Sequence, residues 1–135
     1  MQHFVAANPV ETMLLEAQEG RATPSMLFAA LYPSQVYVLV DQDPGPAGQW
    51  TDETTLLILL NQAETPVMAM FTSPARLAGW PEMSGKFRYA LRVDFSWLLN
   101  GIMEGVGIVL NPGAAVGVEL SPELVAKFQK SVGLR

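Results

Sequence analysis

The sequence predicts one compact domain of the α+β or mixed α/β class, with a mixed, largely antiparallel sheet of about five or six strands flanked by four or five short helices. Three observations carry that expectation. Short apolar runs of strand length recur along the chain, at Val36 to Val40, Leu56 to Leu60 and Val67 to Phe71. Five helix starts are marked by a capping residue followed by proline or by an amphipathic run. Half of the 135 residues are apolar and only 16% are charged, enough for one continuous core and too little charge for a long solvated arm.

Asn8-Pro9-Val10-Glu11 offers an N-cap, a proline at the first helical position and a glutamate in the first turn, so a helix is expected to run to about Gln18 and stop at Gly20. Residues 1–7 ahead of it are expected to fray within a domain spanning 1–135. Thr23-Pro24 repeats the signal for a second short helix ending ahead of Pro33. Val36 to Val40 is apolar throughout, which predicts a strand buried on both faces. The Asp41 to Asp52 stretch, DQDPGPAGQWTD, is a loop by composition. Leu56 to Leu60 and Val67 to Phe71 should form a hairpin across Asn61 to Pro66.

Ser73-Pro74 is expected to cap a third helix, Ala75 to Trp80. Phe87 to Val93 alternates as a half-exposed strand, Asp94 caps a helix over Phe95 to Leu99, and Asn100-Gly101 stops it. Val106 to Leu110 and Val116 to Leu120 are read as strands joined by Asn111-Pro112-Gly113, a type II turn in which asparagine bonds back to the turn amides. Ser121-Pro122 then caps a last helix with Leu124, Val125, Phe128 and Val132 on one face, ended by Gly133.

Charge and composition narrow the function classes. Eight Lys and Arg against thirteen Asp and Glu give a net charge of -5 without a basic cluster, so a nucleic-acid partner is not expected. No run reaches the length of a membrane span and no secretory signal precedes the first helix, which points to a cytoplasmic protein without a membrane partner. The absence of cysteine removes disulfides, thiolate metal sites and thiol nucleophiles.

The chemistry-bearing residues are few. His3 is the single histidine and lacks a partner to orient it as a base. Asp41, Asp43 and Asp52 surround a Pro/Gly loop, either as turn formers or as oxygen ligands of a hard cation, but without the EF-hand spacing. Ser73 and Ser121 read as helix caps, with no nucleophile elbow around either. Gly101, Gly105 and Gly107 precede a strand instead of following one, so they do not form a phosphate cradle. No catalytic, metal or cofactor site is therefore expected. Trp97 reads as core, whereas Trp50 in a polar loop either packs onto its own domain or docks another protein, and Trp80, closing a helix before Pro81, is a further candidate for contact.

The segments FTSPARLAGW, VDFSWLLNGI and IVLNPGAAVGVELSPELV, in that order, resemble the N-terminal domain family of SseB, the enhanced serine sensitivity protein of bacteria. The resemblance spans roughly Thr23 to Val132 and is most specific at Asn111-Pro112-Gly113 with Gly117 and Ser121-Pro122. It implies a largely uncharacterised domain, linked by name to a serine-sensitivity phenotype and to secretion-system labels, and it brings no catalytic residues. The expectation is a non-enzymatic protein–protein interaction or self-association module, a homodimer by preference, with Trp50, Trp80, Asn111, Pro112, Gly113 and Glu119 as candidate surface residues. The alternative is a binder of a small metabolite, an amino acid or other anion, held at helix N-termini.

Overall fold

The computed structural model describes residues 5–45 and 54–133. The first two helices form where the caps place them. Asn8 accepts the Glu11 amide ahead of α1 (Pro9–Gln18), and Thr23 accepts the Met26 amide ahead of α2 (Pro24–Leu31). Each cap satisfies an amide that the first turn leaves without a partner. Within the segment expected to fray, the Ala7 amide donates to Glu11 and the Val5 carbonyl accepts from Arg76.

Six strands follow among the described residues: β1 (Gln35–Val40), β2 (Ile58–Leu60), β3 (Pro66–Met70), β4 (Tyr89–Asp94), β5 (Gly107–Leu110) and β6 (Val118–Leu120). β1 pairs antiparallel with β4, in register from Gln35 opposite Asp94 to Val40 opposite Tyr89. A second ladder runs β2-β3-β5-β6, antiparallel at both ends and parallel between β3 and β5. Single bridges at Tyr37–Phe71 and Val40–Leu56 join the two ladders, with both Tyr37–Phe71 amide bonds at 2.8 Å. The expected mixed, largely antiparallel sheet is thus present.

Its two faces bury different clusters. Val36, Val38, Val40, Met68, Met70, Ile108 and Leu110 point into the main core, closed by Val10, Leu14, Leu27 and Leu31 of the first helices. The same core takes Phe95, Leu98 and Leu99 of α4 (Phe95–Gly101) and Val125 and Phe128 of α5 (Pro122–Ser131). Phe28 stacks on Phe128 at 4.1 Å and meets Phe95 edge-on at 6.2 Å, tying three helices together. On the opposite face Leu39, Leu57, Ala69, Phe71 and Leu77 form a smaller cluster with Tyr37, Trp80 and Phe87. β1 is buried on both faces, as its unbroken apolar run predicts.

Several local expectations are corrected. The third helix is two pieces, a 3-10 turn over Pro74–Leu77 and α3 (Trp80–Met83), split at Gly79, whose φ of 82° breaks the right-handed path. Trp80 therefore opens a helical turn instead of closing one. Ser73 makes no side-chain cap bond, while Ser121 does, to the Leu124 amide. Asp94 stands at the N-cap of α4 without capping it, because its carboxylate accepts from the Gln35 amide across the ribbon at 3.1 Å. Gly101 is helical and does not stop α4. The carbonyls of Leu99 and Ile102 are instead taken by the buried Gln129 amide group at 2.9 and 3.0 Å. Strands β4, β5 and β6 start one or two residues later than their apolar runs.

Candidate functional site

α1 and the 3-10 turn Pro74–Leu77 converge with the end of β3 and the turn after β5 on a buried polar cluster. Glu11 sits in the first turn of α1 and is fully buried. Its carboxylate accepts from Ala7 N at 2.9 Å, Thr72 Oγ1 at 2.5 Å, Arg76 Nε at 3.1 Å and Arg76 Nη2 at 2.8 Å. Burial alone would push this carboxyl up, but the Arg76 guanidinium, the Thr72 hydroxyl and the Ala7 amide outweigh it and hold the pKa at about 2. The Ser73 hydroxyl adds the smallest lowering, close to the carboxylate yet outside hydrogen-bond geometry.

Asn111 completes the cluster. Its side chain accepts from the Thr72 amide at 3.0 Å and donates to Thr72 Oγ1 at 2.8 Å, and its own amide donates to the Met70 carbonyl at 2.8 Å. The residue is buried with φ 55°, a left-handed conformation that asparagine tolerates better than most. Ala114 N bonds Asn111 O at 3.0 Å across Pro112 and Gly113, whose φ is 79°, which fits the expected type II turn. The asparagine side chain, however, turns inward to Thr72 and the Val116 carbonyl instead of back to the turn amides. Trp80 Nε1 donates to the Pro112 carbonyl at 3.1 Å while its ring packs on Phe71 at 5.6 Å.

These contacts bring Trp80, Asn111, Pro112 and Gly113 together, in a joint that locks β3 to β5. Glu119 lies apart on β6, accepting from Asn61 Nδ2 at 2.8 Å. Trp50, His3 and Asp52 lie outside the described residues. Asp41 and Asp43 act as turn formers, accepting from the Thr55 and Gly45 amides.

Trp97, expected in the core, is 46% exposed, and this is the main correction at the surface. α4 is only seven residues long, so Phe95, Leu98 and Leu99 saturate its buried stripe and leave Trp97 at the rim. There it lines an apolar cleft of about 240 Å³ with Leu56, Met68, Leu98, Asn100 and Gly101. Ile58, directly opposite Met68, and Leu60, two residues on along the same face of β2, are also exposed and extend the cleft into a strip. Sequence reasoning missed this strip because a continuous apolar run such as Leu56 to Leu60 looks the same in a central strand and at a sheet edge. It also missed Glu11, whose signal was a distant arginine that no local spacing points to.

No helix among the described residues is long and apolar enough to cross a membrane. Searches of curated proteins and of solved structures found no match. A family model, SseB protein N-terminal domain, matches residues 10–127, from the first helix through most of the last. The polar joint described above falls within that span, and on this match the chain belongs to the SseB N-terminal domain family.

Proposed function

We propose that this chain is a non-enzymatic, cytoplasmic interaction module that associates with a second copy of itself through the strip on β2 and α4. The observation that carries the reading is Trp97, half exposed over a cleft walled by Leu56 and Met68, with Ile58 and Leu60 open beside it. Exposed tryptophan beside an apolar pocket is the arrangement that concentrates binding energy at interfaces. No residue of the strip is charged, so two copies facing each other across a twofold axis bring no like charges together. The strip thereby supplies both the protruding side chains and the cleft that an isologous contact needs. β2 pairs with β3 on one side, and the residues just ahead of it, Leu56 and Leu57, meet Val40 and Leu39 of β1 on the other.

The test is molecular mass in solution across a concentration series, for the wild type, Ile58→Lys and Trp97→Glu. The reading expects a dimer for the wild type at tens of micromolar protein and monomers for both variants, with unchanged circular dichroism. A wild type that stays monomeric at about 100 μM, or variants that dimerise as the wild type does, would refute it.

A further inference from the structure

A groove of about 590 Å³ opens on the side of the β1-β4 ribbon away from the main core, between the start of α1 and the loop leading into β1. That is a volume typical of small-molecule sites. Its chemistry is unlike the apolar strip. Tyr37 and Arg92 are cross-strand neighbours on the ribbon, and Asp94 stands two residues beyond Arg92 on the same face of β4. One Asp94 oxygen takes the Gln35 amide, leaving the other open. The Arg92 side chain is exposed, and no ion pair or hydrogen bond joins it to another described residue. The Tyr37 hydroxyl likewise has no hydrogen bond to the described residues.

One further feature favours an anionic ligand group here. The first turn of the ten-residue α1, at Asn8, Pro9 and Val10, forms one wall and presents the positive end of its dipole.

The sign pattern then selects the ligand. Residues two apart on one strand have Cα atoms about 7 Å apart, so Arg92 and Asp94 place a positive and a negative side chain on one wall. A bare phosphate or sulfate would meet the Asp94 carboxylate unfavourably. A molecule with a carboxylate at one end and an ammonium or hydroxyl donor at the other meets both. We infer that this groove binds a small carboxylate bearing a hydrogen-bond donor, with Arg92 on the carboxylate and Asp94 on the donor.

The test is a two-dimensional NMR titration of the full chain with glycine, β-alanine and 4-aminobutyrate. Acetate serves as the carboxylate without a donor, and inorganic phosphate as the plain anion. The expected result is saturable shifts at Tyr37, Ser73, Arg92 and Asp94 for at least one amino carboxylate, with acetate and phosphate at least about tenfold weaker. Arg92→Gln should weaken that binding about tenfold, and Asp94→Asn should erase the preference over acetate. Both residues are exposed, so both variants are expected to fold, and their unchanged spectra away from the groove check it. No saturable shift for any amino carboxylate at tens of millimolar, equal binding of acetate or phosphate, or indifference to Arg92→Gln would each overturn the assignment.

Discussion

Replacing Glu11 by glutamine tests whether the polar joint holds the fold together. The carboxyl falls from its ordinary 4.5 to about 2 in the folded chain. At ~1.4 kcal/mol per tenfold change in proton affinity, this lowering contributes about 3 kcal/mol at neutral pH. The side chain is fully buried, so solvent screening does not discount the figure. Glutamine keeps one acceptor oxygen but turns an amide donor toward Ala7 N, Thr72 or Arg76, and it removes the Glu11 charge from beside the mostly buried guanidinium. Urea unfolding at pH 7 should therefore show a loss of about 3 kcal/mol, equivalent to roughly 10 °C in Tm.

The sign of the pH dependence is fixed by the direction of the shift. A carboxyl whose folded pKa is depressed gives its full stabilisation above the unfolded value near 4.5, and loses it as pH falls toward about 2. The gap between wild type and Glu11→Gln should therefore narrow by about 2 kcal/mol between pH 7 and pH 3. Comparing the two proteins at each pH cancels the titration of the remaining carboxylates. A gap below about 1 kcal/mol at pH 7, or one that does not narrow on acidification, would refute the reasoning.

Other substitutions probe neighbouring features by the same unfolding measurement. Gln129→Met should cost about 2 kcal/mol, because it removes the buried side-chain donor shared by the Leu99 and Ile102 carbonyls. Gly117→Ala should cost about 2 kcal/mol or more, since its Cβ would meet the Leu110 and Asn111 carbonyl oxygens at 2.5 and 2.8 Å, both backbone atoms that cannot swing away. Asn111→Ala should lose about 3 kcal/mol from the abandoned Thr72 amide and the left-handed φ, and Asn111→Gly about 1 kcal/mol less because glycine relieves the backbone term. Ser73→Ala should be nearly neutral in the ligand-free protein, since the hydroxyl makes no hydrogen bond there.

The elements that sequence reasoning placed well are those governed by neighbours in the chain. Asn8, Thr23 and Ser121 each satisfy an amide three residues on, so the spacing that reveals them is the spacing that makes them work. The hairpin across residues 61–65 and the turn at Asn111 are local in the same sense. Ser73-Pro74 carries the same signature and fails, because Gly79 adopts a positive φ and the segment covers the second face of the sheet as a 3-10 turn. Glu11 and Gln129 were invisible for the opposite reason. Their partners, Arg76 and Leu99, are 65 and 30 residues away, and only the folded sheet brings them near. Trp97 was misread because a helix of seven residues has room for one buried stripe, and the identity of the residues filling it is settled by tertiary packing.

The two surfaces can be tested without confusing one result with the other, because they use opposite faces of the sheet. Leu56 and Met68 of the strip belong with the side chains of the main core, whereas Tyr37 faces the smaller cluster with Phe71 and Leu77. Arg92, opposite Tyr37 in the ribbon, shares that second side. Ile58→Lys should therefore dissociate a dimer and leave the groove shifts intact, while Arg92→Gln should abolish the shifts and leave the mass unchanged. A coupled response would need a connection through the sheet, and the joint of Glu11, Thr72, Arg76 and Asn111 is the polar link that spans α1 beside the groove and strands β3 and β5. Its fully bonded geometry holds that connection in one state, so the two surfaces are expected to act independently as long as the Glu11 carboxylate remains ionised.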